Sequence, residues 1–119
     1  MERGQQLMNG IHKWADEAFG KERTCLAPLY HLKEEVNELI DAIEELQISD
    51  NKVKSMDNVL KEFADCYILL NNAASKYGLS YGDLLSVAEA KMVINKSRKW
   101  EQKGDENGVH HHIKDILPE

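Results

Sequence analysis

Apolar residues recur every three or four positions along four stretches of the 119-residue chain, and polar turn signals separate them. The first stretch runs from about residue 5 to residue 19 and stops at Gly20, a residue suited to the position after a helix C-terminus. In the second, Leu29, Leu32, Val36, Leu39, Ile43 and Leu46 make one apolar arc at roughly 100° per residue, with Pro28 fitting the first turn and the helix continuing to about residue 47. The run "SDNKVKS", 49–55, is polar and reads as a loop, after which Ser55 or Asp57 can cap a third helix that ends at Gly78. Its arc is Val59, Phe63, Cys66, Leu70, Ala73 and Tyr77, widened by Leu69. Ser80 followed by Asp83 resembles a capping arrangement and opens a fourth helix to about residue 99. No stretch reads convincingly as a strand. The expected fold is all-α, an antiparallel four-helix-type bundle over residues 1–100, with a polar, Gly-interrupted tail over 101–119 that packs back on the domain.

Carboxylates interrupt this pattern in a matched way. Glu35 lies at the edge of the second arc with Glu38 further round, and Glu62 falls within the border of the third arc with Asp65 beside it. Two helices thus carry a carboxylate pair three residues apart at the same offset from the apolar stripe. Four carboxylates gathered at a bundle edge repel one another and resist desolvation, a conflict that a divalent cation removes. All-oxygen ligation selects a hard ion, Mg²⁺, with Mn²⁺ as the alternative, and Glu35, Glu38, Glu62 and Asp65 are the expected ligands. On the fourth helix Lys91, Asn95 and Arg98 recur at i, i+4 and i+7, a cation, an amide and a guanidinium suited to phosphate oxygens. Metal and phosphate clamp together suggest a nucleoside triphosphate.

Composition narrows the classes. Charged residues make up 30% of the chain and hydrophobic residues 42%, as in a globular protein of one domain. A net charge of −6 argues against a nucleic-acid polymer as partner. No apolar run approaches the roughly 20 residues that span a bilayer, and two cysteines, Cys25 and Cys66, suit a reducing compartment, so the expected location is the cytoplasm. Cys66, on the apolar face, reads as a packing residue.

"EEVNE" at 34–38, followed after 23 residues by "EFAD" at 62–65, resembles the EExxE and ExxD signature of the MazG-like all-α nucleotide pyrophosphohydrolases. "EAKMVINKSRKW" at 89–100, "KWADEAFG" at 13–20 and "NGVHHHIKD" at 107–115 are similar to the dATP/dGTP pyrophosphohydrolase branch, so the likeness covers nearly the whole chain. The resemblance implies Mg²⁺-dependent hydrolysis of a (deoxy)nucleoside triphosphate, of a purine by its branch, to the monophosphate and pyrophosphate. It implies metal ligation by Glu35, Glu38, Glu62 and Asp65, catalysis through Glu35 and Glu38, and phosphate or sugar contacts from Lys91, Asn95 and Arg98. Glu34, on another side of its helix, is expected to support the ligands or the fold. A homodimer or homotetramer is implied as well, because four modest helices leave apolar surface without a partner.

For the base, Trp14 and His31 are the candidates, with Tyr67 behind them, since an aromatic face suits a flat ring and His31 lies one turn before Glu35. The run His110, His111 and His112 does not read as a metal site, because consecutive tail residues do not converge on one ion. A di-iron bundle supplies Glu-x-x-His pairs, and none occurs here. The remaining alternative is a non-catalytic helical module that binds metal or a protein partner.

Overall fold

The computed structural model describes residues 2–114, over which the chain forms α1 (Arg3–Phe19), α2 (Leu26–Ile48), α3 (Lys52–Tyr77) and α4 (Tyr81–Ser97). The fold is all-α; among the described residues the β features amount to one isolated bridge, Trp100 to His112. The helix ends follow local chemistry. Gly20, at φ 95°, closes α1 with its N–H on the Asp16 carbonyl, and Gly78, at φ 108°, lets the chain turn left-handed after α3. The Gly78 N–H bonds to the Ser75 carbonyl and the Leu79 N–H to the Ala74 carbonyl, the paired pattern that satisfies a helix C-terminus. At α4 the caps are reciprocal: Asp83 N–H donates to Ser80 Oγ and Ser80 N–H to Asp83 Oδ2, each at 3.0 Å.

Two boundaries differ from the sequence expectation. Asn51, rather than Ser55 or Asp57, caps α3, its Oδ1 accepting from the Lys54 N–H at 3.2 Å. With a good cap in place, the Lys-Val-Lys run has no local reason to stay extended, and the loop shrinks to residues 49–51. α4 ends at Ser97, so Arg98 lies just beyond it.

Two compact units divide between Leu84 and Leu85. In the first, α3 packs on both α2 and α1, and the three-residue loop makes α2 and α3 antiparallel neighbours. The less exposed positions of α2 include Pro28, Leu32, Glu35, Leu39, Ala42 and Leu46; those of α3 include Ser55, Val59, Glu62, Cys66, Leu69 and Ala73, with Asn71, Asn72 and Ala74 buried beside the last. This corrects the expected arcs. The inner stripes are rotated toward the carboxylates, so Glu35 and Glu62 sit within them and not on their flank. Leu29, Val36, Ile43, Phe63, Leu70 and Tyr77 are correspondingly exposed. Each helix carries two adjacent apolar strips, and a wheel reports their mean direction; the neighbour chosen in the fold selects one of them.

Met8, Ile11 and Ala15 of α1 are buried, as are Ala73 and Ala74 of α3. A polar chain runs beside these side chains. His12 Nδ1 is 2.9 Å from Ser75 Oγ, His12 Nε2 is 3.2 Å from Asp16 Oδ2, and Lys76 Nζ donates to Asp16 Oδ1 at 2.8 Å. The hydrogen bond from Lys76 holds the Asp16 carboxyl below its ordinary value.

In the second unit the chain turns back after α4. Trp100 Nε1 donates to the Asn95 carbonyl at 2.8 Å, anchoring the helix end. Glu101 N–H bonds to the His111 carbonyl and Ile113 N–H to the Lys99 carbonyl, so residues 101–114 fold as a short hairpin-like return. Residues 115–119 of the expected tail lie outside the described residues. Among the described residues no helix is long and apolar enough to cross a membrane.

Candidate active site

The inward rotation of α2 and α3 brings their acidic residues together. Glu35, Glu62 and Asp65 each offer a carboxylate oxygen, and the three oxygens lie within 4.8 Å of one another. Glu38 stands outside this group, on the exposed side of α2, with its carboxylate next to that of Glu35. Glu34 is exposed.

His31 fixes the orientation of Glu35. Its Nε2 is 3.2 Å from Glu35 Oε1, one helical turn away, and the Glu35 side chain is only 15% exposed. Glu35 Oε2 and Glu62 Oε2 are buried and have no hydrogen-bond partner. Buried carboxylate oxygens left in this state are costly, since neither protein nor solvent replaces the lost hydration. The strain registers in acidity. The Glu38 carboxylate beside it, then burial, then Glu62, push the Glu35 carboxyl up to about 7. A cation bound by these oxygens removes the repulsion and satisfies both orphaned atoms, and an all-oxygen donor set fits a hard divalent ion such as Mg²⁺ or Mn²⁺. Cys66, one turn beyond Glu62, is no rival for this role. Burial and the nearby Glu35, Glu62 and Asp65 push its thiol up, away from the reactive thiolate.

A cavity of about 170 Å³ opens directly on the cluster, lined by Trp14, Phe19, His31, Glu35, Asp65, Ile68 and Leu69. Trp14 and Phe19 meet edge to face at 5.3 Å, and Arg23 lies over the Phe19 ring at 5.1 Å. The cavity therefore has carboxylates at one wall and aromatic faces at another. Both expected base-contact residues, Trp14 and His31, line it. Tyr67 does not; its hydroxyl is 2.7 Å from that of Tyr81, at a separate recess. Sequence reasoning missed Phe19, because a spacing of five from Trp14 is not a helical neighbour relation and the pair meets through side-chain reach at the helix end.

The basic set belongs to the second unit. Lys91 is exposed, Asn95 and Arg98 are half-buried, and the Asn95 carbonyl is taken by Trp100. The three tail histidines do not converge: two meet different atoms of Glu101 and the third meets Trp100. His110 Nδ1 is 2.6 Å from the Glu101 carbonyl, His111 Nδ1 is 3.8 Å from Glu101 Oε1, and the His112 ring stands edge-on to Trp100 at 5.8 Å.

Comparison with known proteins bears on what this arrangement is for. The sequence model of the dATP/dGTP pyrophosphohydrolase family matches residues 7–118. Among solved structures, a MazG-like pyrophosphohydrolase of cyanophage S-2L, bound to dGDP and three catalytic Mn²⁺ ions per active site, superposes with a TM-score of 0.67. It shares 26% sequence identity, over 96% of this chain and 100% of that one. A search of curated proteins gave no match. The motif order, the all-α fold, the carboxylate cluster and the family match agree, and the chain belongs to the dATP/dGTP pyrophosphohydrolase family, as a nucleotide pyrophosphohydrolase of MazG-like fold.

Proposed function

We propose that the chain hydrolyses a purine deoxynucleoside triphosphate to the monophosphate and pyrophosphate, with a divalent cation held by Glu35, Glu62 and Asp65 and by Glu38 from the rim. The observation that carries this reading is the pair of buried, unpartnered oxygens on Glu35 and Glu62, in a carboxylate cluster whose Glu35 and Asp65 line an aromatic cavity. The family match and the dGDP and Mn²⁺ of the cyanophage protein support it. Mg²⁺ or Mn²⁺ bound there supplies charge neutralisation for the phosphates and a water of lowered pKa.

The protein's own groups supply position. His31 holds Glu35 Oε1, which leaves Oε2 directed to the cluster. Glu38, exposed beside Glu35, is assigned the part of orienting a water for in-line attack on the α-phosphorus and accepting its proton. Trp14 and Phe19 offer ring faces to the base, and His31 borders it. Lys91, Asn95 and Arg98 are assigned to phosphate oxygens by residue type.

The assembly proposed is a homodimer or homotetramer. Val53, Met56, Leu60, Phe63, Tyr67 and Leu70 form an exposed row at i, i+3, i+4 spacing along α3, and Leu29, Val36, Ile40 and Ile43 do so on α2. So much regularly spaced apolar surface is unusual on a monomer, and it favours burial against a second copy.

Pyrophosphate release from a panel of NTPs and dNTPs, with Mg²⁺, with Mn²⁺ and with EDTA, tests the reading on wild type and Glu62→Ala. Metal-dependent turnover that favours purine deoxynucleotides and disappears in Glu62→Ala is expected. Equal turnover in EDTA, or a pyrimidine preference, overturns the metal or the base assignment respectively.

A further inference from the structure

Trp14 stands on the pocket side of α1. The residues two before and two after it, His12 and Asp16, are displaced by roughly 200° around the helix and so face the other way. There they meet consecutive residues of α3. His12 Nδ1 lies 2.9 Å from Ser75 Oγ, and Asp16 Oδ1 accepts from Lys76 Nζ at 2.8 Å. His12 Nε2, 3.2 Å from Asp16 Oδ2, joins the two contacts into one chain. The Lys76 side chain is 7% exposed, and its Nζ also donates to the Lys21 carbonyl at 3.3 Å, which ties in the loop after α1.

An ion pair with one buried partner, Lys76, and one at 23% exposure, Asp16, is a weak source of stability. What it adds is direction. The buried side chains beside it, Met8, Ile11, Ala15, Ala73 and Ala74, are apolar and mostly small, and apolar contact is non-directional. Arg23 adds longer contacts to the Ala15 carbonyl and to Asn72 Oδ1, each at 3.5 Å, and the shorter bonds of His12 and Asp16 hold the rotation of α1 on α3 more sharply. An indole ring about 6 Å from a helix axis moves about 1 Å for a rotation of about 10°. A shift of that size at a stacking ring weakens its contact with a base, a loss of binding more than of rate.

We infer that Lys76, Asp16, His12 and Ser75 form a positioning clamp that fixes the rotation of α1 on α3 and with it the plane of Trp14 at the nucleotide cavity. The clamp touches no substrate. Its role in binding rests on the proposed reading of that cavity, whereas its effect on Trp14 does not.

Both effects are measured on the full chain carrying Lys76→Met. The indole N–H resonances of Trp14 and Trp100 are followed by NMR without nucleotide, with Trp14→Phe used to assign them, and KM and kcat are measured with dGTP and dATP. The resonance of Trp14 is expected to shift while that of Trp100 stays, with KM raised at least tenfold, kcat changed less than twofold, and much of the loss recovered in Lys76→Arg. Asn51→Ala, which weakens the opposite end of α3, serves as the control for lost stability and is expected to move neither reading. Should Lys76→Met fail to fold, His12→Gln loosens the same chain at its other end and is read identically. An unmoved Trp14 resonance in a folded variant, or the same rise in KM in Asn51→Ala, overturns the clamp. A shifted Trp14 resonance in a protein that turns over no nucleotide leaves the clamp standing and removes the cavity's assigned function.

Discussion

The Glu35 carboxyl is pushed up to about 7 by Glu38, by burial and by Glu62, while its oxygens face an acidic cluster. In the unfolded chain the same group titrates near 4.5. The folded state therefore binds the proton more tightly, and the stability this gives is fully present below about pH 4.5 and lost as the pH rises through about 7. Urea unfolding of metal-free protein at pH 5 and pH 8 is expected to show it, with Mg²⁺ or Mn²⁺ restoring stability at pH 8 and having little effect at pH 5. Glu35→Gln is expected to abolish the pH dependence and the activity together. Each acidic residue of the cluster was legible in the sequence, since matched i, i+3 pairs on two helices have a shared chemical reason. The clamp was not: His12 and Ser75 are 63 residues apart, Asp16 and Lys76 60, and nothing local in either segment marks them as partners.

At the scale of helices, local signals placed most ends well and failed where two adequate signals competed. Gly20, Gly78 and the Ser80 with Asp83 pair act as expected because each solves a backbone problem within its own turn. Asn51, Ser55 and Asp57 are all acceptable caps, and of these the helix takes the earliest. Gly78→Ala places a side chain at φ 108° and is expected to cost about 1 kcal/mol, read as a lower urea midpoint at unchanged m. The rotation of the inner stripes is the deeper discrepancy. Hydrophobicity has no direction of its own, so a helix with two apolar strips does not announce which one its own chain will cover.

The whole molecule leaves large apolar side chains uncovered, among them Leu60 at 67% and Phe63 at 53% exposure on α3. Removing such a row from water by association is favoured at about 25 cal/mol per Å² before the costs of ordering. Sedimentation of the wild type is expected to give a multiple of the 13.6 kDa chain mass. Leu60→Glu, which puts a charge in the middle of the row, is expected to shift the species toward the monomer. A monomeric wild type at micromolar concentration removes the assembly proposed above.

What the sequence by itself determined is whatever depends on neighbours along one helix: four helices, most of their caps, the paired carboxylates and the family that these motifs mark. Only the tertiary structure decided that Glu35 and Glu62 lie inside the α2–α3 seam with unpartnered oxygens, that Phe19 joins Trp14 at the cavity, and that Lys76 grips Asp16. The reason is physical. Caps and periodicity are set within a few residues, whereas burial and long-range polar pairing exist only once a helix has a particular neighbour at a particular rotation.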